Sequence, residues 1–385
     1  MVNPNEYGSL LFDEKEKEYL SNVIDTRRIF RYSKTQYPYT SMCEEKIKSL
    51  VGSNYCLMTT NGTSSLKSAF IGANVKKGDR VLISSYTFLA TALAAIAIGA
   101  IPIPIEVDLD YGVNIEDLKN EIKLGCKTLV VVHFQGRTFD LSEVKRICKK
   151  NGVILIEDAC QAFGAKFKDK YAGTFGEIGV YSFQQFKQIT CGEGGCVVTN
   201  NELIFNRMRN YTDMGSTRNR FPSWDSDEAL FGENNRMNNL CAAVLYAQLE
   251  KLDKIISKQR KSRENIMKKF SNINNILTSK DNCGDTCMNI IIILNDKKFK
   301  EEVINIGKEN GIEFRNMWSS LYYDNELFKK YKLTSKDLKN RECSYTRELI
   351  DKMLVVSIPP ILNNDDEEKI ASLIQTIKNM GYLSW

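Results

Sequence analysis

Residues 128–159 read TLVVVHFQGRTFDLSEVKRICKKNGVILIEDA, in which two apolar runs flank one helical stretch. The runs TLVVVHF and GVILIEDA have the length and apolarity of buried strands, and LSEVKRICKK between them has a helical pattern. A strand, a helix and a second strand in this order predict parallel strands with the helix packed against them.

The same alternation recurs along the first half of the chain and decides the fold class. Further apolar runs stand at 80–86, 101–108, 179–183 and 195–200, with helical patterns between several of them. Strands that alternate with helices predict an α/β fold, in which helices flank a mostly parallel sheet on both faces.

The C-terminal part has a different pattern. Beyond Arg236 apolar residues fall at three- and four-residue steps, which predicts a long amphipathic helix. The segment from about residue 252 onward is typical of a smaller α+β domain, with CMNIIIIL at 287–294 as its clearest strand. We therefore expect a large domain over 1–251 and a small C-terminal domain over 252–385, with the N-terminal segment free to pack on the small domain.

The composition is that of a globular protein. With 385 residues, 43% of them hydrophobic, the chain can bury a large core, and its net charge of +5 does not by itself indicate nucleic acid or membrane as a partner. The basic stretch KQRKSRENIMKKF lacks interleaved aromatic residues, which favours a solvated helix face over nucleic-acid binding. Eleven cysteines without a dense spacing pattern, and charges where a signal peptide needs an apolar core, predict a reduced, cytoplasmic protein.

One segment is similar in length and composition to a transmembrane helix. Residues 88–105, FLATALAAIAIGAIPIPI, carry no charge and approach the length of a transmembrane helix. Gly99, Pro102 and Pro104 interrupt the second half, so we expect a buried helix followed by a short strand.

Polar residues directly after the apolar runs are the candidates for a site, because ligands of open α/β sheets bind at the carboxyl ends of the strands. In TTNGTSSLKSAF, 59–70, small polar residues precede a helical pattern whose free N–H groups would bind an anion such as phosphate. A hairpin or an ordinary helix cap is the alternative. Asp158 ends a buried strand, where an ionised group needs either a cationic ring nitrogen of a ligand or a basic side chain.

Lys187 lies in SFQQFKQITCGEGG, residues 182–195, after a strand and before glycines that allow close backbone approach. Most lysines face water, but a desolvated lysine has a lowered pKa and can form a Schiff base. Ser182, at the end of the same strand, could hold an anionic group.

His133, the single histidine of the chain, follows an apolar run, where a core role and a functional role are both open. One histidine rules out histidine-rich zinc sites, and cysteine spacings such as CGDTC at 283–287 are unusual for metal binding. We therefore expect no metal.

An anion-binding helix start, a buried aspartate and a loop lysine, in this order on an α/β sheet, are the parts that a pyridoxal phosphate (PLP) site requires. The sequence also resembles the DegT/DnrJ/EryC1/StrS family of PLP-dependent sugar aminotransferases, which have the fold of aspartate aminotransferase (fold type I), over most of its length. The matching blocks are S-F-x-x-x-K with G-E-G-G at 182–195, E-D-A-x-Q-x-x-G-A at 157–165, G-T at 62–63, YTFLAT at 86–91, H-x-x-G at 133–136 and the G-x-N-Y-R-M block at 232–237.

The resemblance implies a role for each matching residue. Lys187 would carry the internal aldimine and then move the proton between aldimine and ketimine, with pyridoxamine 5'-phosphate as the intermediate form of the cofactor. Asp158 would pair with the pyridinium nitrogen, Gln161 would contact the ring hydroxyl, and Phe88 would stack on the ring. The phosphate would be bound by four residues: Gly62, Thr63, Ser182 and Asn234. Of these, Asn234 would reach the phosphate from the second subunit of a homodimer.

The activity that the resemblance implies is transfer of an amino group from an amino acid, with glutamate as the expected donor, to a keto sugar, with a nucleotide-linked sugar as the expected acceptor. Candidate substrate contacts are His133, Glu193, Arg218, Arg220 and Arg315, the arginines as anchors for a diphosphate or a carboxylate.

Departures from the family pattern leave the acceptor open. Asn61 and Asn235 replace a serine and a tyrosine, and EFRNMWSSLYYD at 313–324 lacks the histidine that the family often has there. A cyclitol or another non-sugar ketone is therefore an alternative acceptor. Two further alternatives are the dehydratase branch of the family, in which a histidine occupies the lysine position, and a non-catalytic PLP-binding regulator.

Overall fold

The computed structural model describes residues 6–108, 112–215, 230–269, 276–277, 284–318, 320–330 and 342–383. The strands are β1 (Tyr55–Thr59), β2 (Arg80–Ser84), β3 (Ile101–Ile105), β4 (Thr128–Val132), β5 (Ile154–Asp158), β6 (Lys166–Phe167), β7 (Lys170–Tyr171), β8 (Ile178–Ser182), β9 (Gly195–Thr199), β10 (Ile276–Leu277), β11 (Asn289–Ile293) and β12 (Met353–Ser357).

In the first half of the chain the helices alternate with these strands, and the helices pack against the sheets that the strands form. They are α1 (Glu14–Thr26), α2 (Tyr39–Val51), α3 (Gly62–Gly72), α4 (Leu89–Ala97), α5 (Ile115–Lys123), α6 (Ser142–Asn151), α7 (Glu202–Thr212), α8 (Asn239–Met267), α9 (Lys300–Glu309), α10 (Glu326–Lys330), α11 (Ser344–Lys352) and α12 (Asn364–Asn379). Short 3₁₀ turns span Gly8–Leu11, Phe134–Gly136, Lys297–Phe299 and Tyr322–Asp324.

The central sheet has the strand order β1-β9-β8-β5-β4-β2-β3. Strands β8, β5, β4, β2 and β3 pair in parallel, and β9 lies antiparallel between β1 and β8. Residues 128–159 form β4, α6 and β5, with Thr128 opposite Ile154. The predicted α/β fold with a mostly parallel sheet is therefore confirmed.

The uncharged segment 88–105 forms α4 and β3, a helix and then a strand as predicted. Pro102 and Pro104 are tolerated because β3 is the edge strand of the sheet and pairs only with β2. Within the described ranges, no helix combines the length and the apolarity needed to cross a membrane.

Asparagine caps begin several helices. For α3, the Asn61 side-chain oxygen accepts a hydrogen bond from the Ser64 N–H at 2.8 Å, which satisfies one of the free donors of the first turn. Residues 59–70 are thus a strand end and a helix start, and the hairpin alternative is wrong. The same cap geometry is found at Asn114, Asn201, Asn238 and Asn363.

A second, antiparallel sheet has the order β10-β11-β12, and its middle strand confirms the strand predicted at 287–294. The 29-residue helix α8 joins the two sheets. Leu252 and Ile256 lie in the apolar core beside the central sheet, and Ile266 lies in the core of the second sheet. The domain boundary predicted at 251/252 falls inside this continuous helix and stays a prediction. At the other end of the chain, the Tyr7 hydroxyl donates to Asn289 Oδ1 at 3.1 Å, so the N-terminal segment packs on the second sheet.

The glycines after Lys187 bring β9 close to the start of α3. A Cβ atom at Gly195 would lie 2.6 Å from the backbone carbonyl of Asn61 and 2.7 Å from Ser65 Oγ. A side chain at this position would therefore push the first turn of α3 away from the sheet.

We expect Gly195→Ala to lower the free energy of unfolding by roughly 1–3 kcal/mol, because overpacking against backbone forces a shift of the chain. Urea denaturation measures this change. Thr63→Ala, on the exposed face of the same turn, is the control and should change stability by about 0.5 kcal/mol or less. Equal stability of the two variants would show that the contact with Asn61 does not constrain the fold.

Candidate active site

The carboxyl ends of β5 and β8 meet the start of α3. Asp158 lies opposite Val180 in the parallel pairing of β5 with β8, which places Ser182 two residues beyond that pair on the adjacent strand. A Cβ atom at Gly62 would lie 3.0 Å from Ser182 Cβ and 3.1 Å from Cys160 Sγ. Three of the residues that the sequence predicts for the site are therefore brought together: Gly62, Asp158 and Ser182.

Asp158 is 5% exposed, and uncharged groups hold its carboxylate. Its Oδ2 accepts a hydrogen bond from Thr91 Oγ1 at 2.8 Å, and its Oδ1 accepts one from the Cys160 N–H at 3.1 Å. In the part of the chain that the structure describes, no ion pair involves this carboxylate. A buried carboxylate is costly without a positive partner, so this position favours a cationic ligand group.

Lys187 is half-buried, and its backbone N–H donates to the Gln184 carbonyl at 2.9 Å. Its ε-amine forms neither a hydrogen bond nor an ion pair with any other described residue. Burial raises the pKa of the neighbouring Cys160 thiol, Asp158 raises it further, and Lys187 lowers it. Asp158 and Lys187 thus act in opposite directions on the pKa of one partly buried thiol.

The first turn of α3 supplies the anion-binding end of the site. Thr63 is exposed on this turn, and Ser182 Oγ accepts the Gln184 N–H at a long 3.4 Å. Asn235 of the same chain closes the turn, because its Oδ1 accepts from Ser64 Oγ at 3.3 Å and its backbone carbonyl accepts the Thr60 N–H. Asn234 is exposed next to it. Its contact with a phosphate of a second subunit stays a prediction.

Phe88, the residue directly before α4, has an exposed aromatic side chain. It is 56% exposed, so part of its ring is available to a ligand, and its stacking on the cofactor ring stays a prediction. Trp318, from the connection between α9 and α10, lies behind it with ring centroids 6.1 Å apart, and also packs edge-on against Tyr86 at 5.0 Å. No sequence pattern singles out Trp318, because it reaches Phe88 only through tertiary packing.

His133 lies away from this cluster. Its Nε2 is 2.8 Å from Glu157 Oε2, both side chains are fully buried, and Glu157 also accepts the N–H groups of Gly173 and Gly176. Glu157 and Asp158 point to opposite faces of β5, so His133 lies on the face away from the site. The structure therefore places His133 in the core and corrects its prediction as a substrate contact.

The other predicted substrate contacts have different positions. Glu193 is exposed on the turn between Lys187 and β9. Arg315 is half-buried beside the second sheet, and its Nη2 donates to Asn289 Oδ1 at 3.3 Å and to Ser357 Oγ. Arg218 and Arg220 lie outside the described residues.

Two residues of the site were missed by the sequence analysis. Thr91 lies in the first turn of α4 and holds Asp158, and Gln135 holds Gln161 by two hydrogen bonds. Gln135 lies three residues beyond the end of β4, and the rule that ligands bind at strand ends would have indicated it. Thr91 has no local signal, because only the packing of α4 against the sheet brings it to β5.

The donor set fits PLP. The buried carboxylate, which has no cation among the described residues, matches a protonated ring nitrogen. The amine of Lys187 matches the aldehyde, and the N-terminus of α3 with Ser182 matches the phosphate. Within the described ranges, no group of three or more potential ligands could hold a metal ion.

Comparisons with known proteins agree with this chemistry. A model of the DegT/DnrJ/EryC1/StrS aminotransferase family matches residues 12–375. Among curated proteins, GDP-perosamine synthase of Escherichia coli O157:H7 is 30% identical over 302 residues, which cover 78% of this chain and 81% of the relative.

Solved structures show the same fold. An aminotransferase from Psychrobacter cryohalolentis superposes with a TM-score of 0.84 at 22% identity, over 96% of this chain and 98% of that one. GDP-4-keto-6-deoxy-D-mannose-3-dehydratase from E. coli, with bound hydrated PLP, superposes with a TM-score of 0.81 at 23% identity, over 94% and 97%. Because an aminotransferase and a dehydratase share this fold, the fold alone does not choose between them.

The family model extends over nearly the whole chain, and three residues from the blocks that carry the resemblance lie together at the strand ends: Gly62, Asp158 and Ser182. The chain belongs to the DegT/DnrJ/EryC1/StrS family of PLP-dependent aminotransferases.

Proposed function

We propose that this enzyme transfers an amino group from an amino acid, with glutamate as the donor, to the keto group of a nucleotide-linked sugar. The observation that carries the proposal is the buried carboxylate of Asp158 near the start of α3, with Lys187 on the loop that follows β8. Among the described residues, the amine has no partner and the buried carboxylate has no cation. Likeness to GDP-perosamine synthase supports a nucleotide-linked sugar as the acceptor.

The roles follow from what each side chain can do. When bound, PLP supplies a ring that accepts electrons from the substrate carbon. Asp158, held by Thr91, keeps a proton on the ring nitrogen, which maintains the electron-accepting character of the ring. Lys187 would hold the cofactor through its ε-amine. The same amine would act as the base that takes a proton from the substrate carbon and as the acid that delivers it to the carbon of the cofactor that the amine had held.

The remaining groups position the cofactor. The N–H groups and the positive dipole end of α3, together with Ser182, bind the phosphate, and Phe88 covers one face of the ring. We propose that Asn234 completes the phosphate site of a second subunit in a homodimer.

Arg315 is the proposed anchor for an anionic group of a substrate. Its Nε is buried and has no hydrogen-bond partner among the described residues, and no described carboxylate pairs with its guanidinium. A guanidinium in this state favours a carboxylate of the amino donor or a diphosphate.

The identity of residue 187 helps to distinguish amino transfer from the alternative functions, a dehydratase and a non-catalytic regulator. In the dehydratase branch a histidine occupies this position, so the lysine supports amino transfer. A non-catalytic regulator would bind PLP without turnover.

A cytoplasmic location stays part of the proposal, and the free thiols of the ten described cysteines are in keeping with a reducing compartment.

The first test uses the covalent link. Protein incubated with PLP, reduced with borohydride and digested should carry a pyridoxyl group on Lys187, and with glutamate it should aminate GDP-4-keto-6-deoxymannose. Lys187→Arg keeps the charge but cannot form the link, so label and turnover should both disappear, whereas Lys149→Arg on the exposed face of α6 should retain both. Labelling without turnover on a panel of keto sugars and cyclitol ketones would favour the regulator, and loss of water from the sugar would favour the dehydratase.

Asp158→Asn should separate stability from cofactor binding. Without PLP, we expect the variant to unfold at the same or a higher temperature, because it removes an uncompensated buried charge, keeps an oxygen for the Cys160 N–H and offers an NH₂ group to the Thr91 hydroxyl. With PLP, the rise in unfolding temperature seen for the native protein should be largely lost. Thermal unfolding of both forms measures this. If the variant without cofactor unfolds at a lower temperature and gains normally from PLP, Asp158 is a structural residue.

Arg315→Gln should raise the KM of the substrate whose anionic group it binds by about tenfold or more, as expected for the loss of a charged hydrogen bond. Steady-state kinetics with each substrate varied in turn decides between the amino donor and the nucleotide sugar. Arg146→Gln, on an exposed surface of α6, is the control. Unchanged KM values for both substrates would contradict the anchor role.

A further inference from the structure

A chain of three amide side chains connects Gln161 to the second sheet. Gln161 Oε1 accepts hydrogen bonds from the backbone N–H and from Nε2 of Gln135, at 3.2 and 2.9 Å. Gln135 Oε1 accepts from Asn289 Nδ2 at 2.5 Å. Asn289 Oδ1 accepts from Arg315 Nη2 at 3.3 Å and from the Tyr7 hydroxyl at 3.1 Å.

Two groups that can only donate fix the orientation of every amide in this chain. Arg315 must donate, so the atom of Asn289 that faces it is an oxygen, and the NH₂ group of Asn289 faces Gln135. The atom of Gln135 that receives it is then an oxygen, which leaves the NH₂ group of Gln135 toward Gln161. At the other end of the chain of amides, the backbone N–H of Gln135 can only donate. The atom of Gln161 that accepts it must therefore be an oxygen, which agrees with the assignment made from Arg315.

Arg315 and the backbone N–H of Gln135 lead to the same assignment of the amide atoms, and this assignment fixes the orientation of the Gln161 amide. Its oxygen is occupied by two donors from Gln135, and its own NH₂ group makes no hydrogen bond with the described residues. Gln161 is half-buried, three residues beyond Asp158. It therefore offers the cofactor a hydrogen-bond donor and not an acceptor.

The backbone of Gln135 has an unusual conformation, which allows its two donors to reach the oxygen of Gln161. Its φ of 53° lies in the left-handed region, which side chains other than glycine rarely adopt, and the residue is 6% exposed. In this conformation the backbone N–H and the side-chain amide of one residue reach a single acceptor. Residues held in such conformations are concentrated at functional sites, where the surrounding structure maintains them.

We propose that Gln135 and Asn289 are positioning residues that hold the Gln161 NH₂ group toward the ring oxygen of PLP. The proposal rests on the proposed function, because it needs the cofactor linked to Lys187. A donor to the ionised ring oxygen stabilises its negative charge, and this stabilisation matters most when the nitrogen linking the cofactor to Lys187 has lost its proton. The chain of amides therefore lowers the pH at which that nitrogen releases its proton.

The test is a pH titration of the absorbance of the PLP-loaded protein, which reports the protonation of the linked nitrogen without turnover. Gln135→Leu removes the side-chain donor that orients Gln161, and we expect the midpoint to rise by roughly half to one pH unit, the scale of one net hydrogen bond. Gln161→Leu should raise it by at least as much. The double variant should not exceed Gln161→Leu, because Gln135 acts through Gln161.

Gln375→Leu is the control. Gln375 is a half-buried glutamine whose Nε2 donates to Asn379 Oδ1 at 2.8 Å within α12, so its loss should leave the midpoint unchanged. Gln135→Met, of similar length and also without a donor, repeats the test if the leucine variant does not fold.

Three results would overturn the proposal. An unchanged midpoint in Gln135→Leu or Gln135→Met, with a raised midpoint in Gln161→Leu, would show that Gln135 does not orient the amide. Additive shifts in the double variant would show that Gln135 acts independently of Gln161. Absence of a borohydride label on Lys187 in the native protein would overturn the proposed function and this inference together, and the label therefore distinguishes the two failures.

Discussion

The start of α3 contacts the ends of β8 and β9 so closely that a Cβ atom at Gly195 would overlap the backbone of Asn61 and one at Gly62 would press against Ser182. This contact determines the rest of the site. It brings the free N–H groups of a helix to the end of the sheet, next to Ser182, and it places them beside the strand that ends in Asp158. Backbone groups held in this way need no rearrangement when an anion binds, since their orientation is already part of the fold.

The polar groups of the site differ from those elsewhere in the structure. Buried charges far from it are paired, as Glu16 is with Lys251 and Arg263 is with Asp285. Asp158 and Lys187, by contrast, contact only uncharged groups among the described residues. The fold thus tolerates an unpaired buried carboxylate at a position where a ligand can supply the missing positive charge.

Much of this site could be predicted from the sequence, because strand ends, the asparagine cap and the glycine run are local patterns. Asp158, Ser182 and Lys187 follow apolar runs directly, and Gly62 precedes a helical pattern. Thr91, Trp318 and Asn289 could not be found in this way, since they reach the site through packing between elements distant in the chain. His133 shows the opposite case. Its position after a strand suggested a function, but the side alternation of β5 and the Glu157 carboxylate place it in the core.

Helix α8 belongs to both apolar cores, with Ile256 in one and Ile266 in the other, and no break in the helix separates them. At 1.5 Å per residue its 29 residues extend for about 43 Å, comparable to the diameter of a domain. If either core loses its packing, the other loses the support of the shared helix as well. The two sheets are therefore architectural units rather than separate folding units, and the chain should unfold in a single cooperative transition, without a state in which one sheet survives alone.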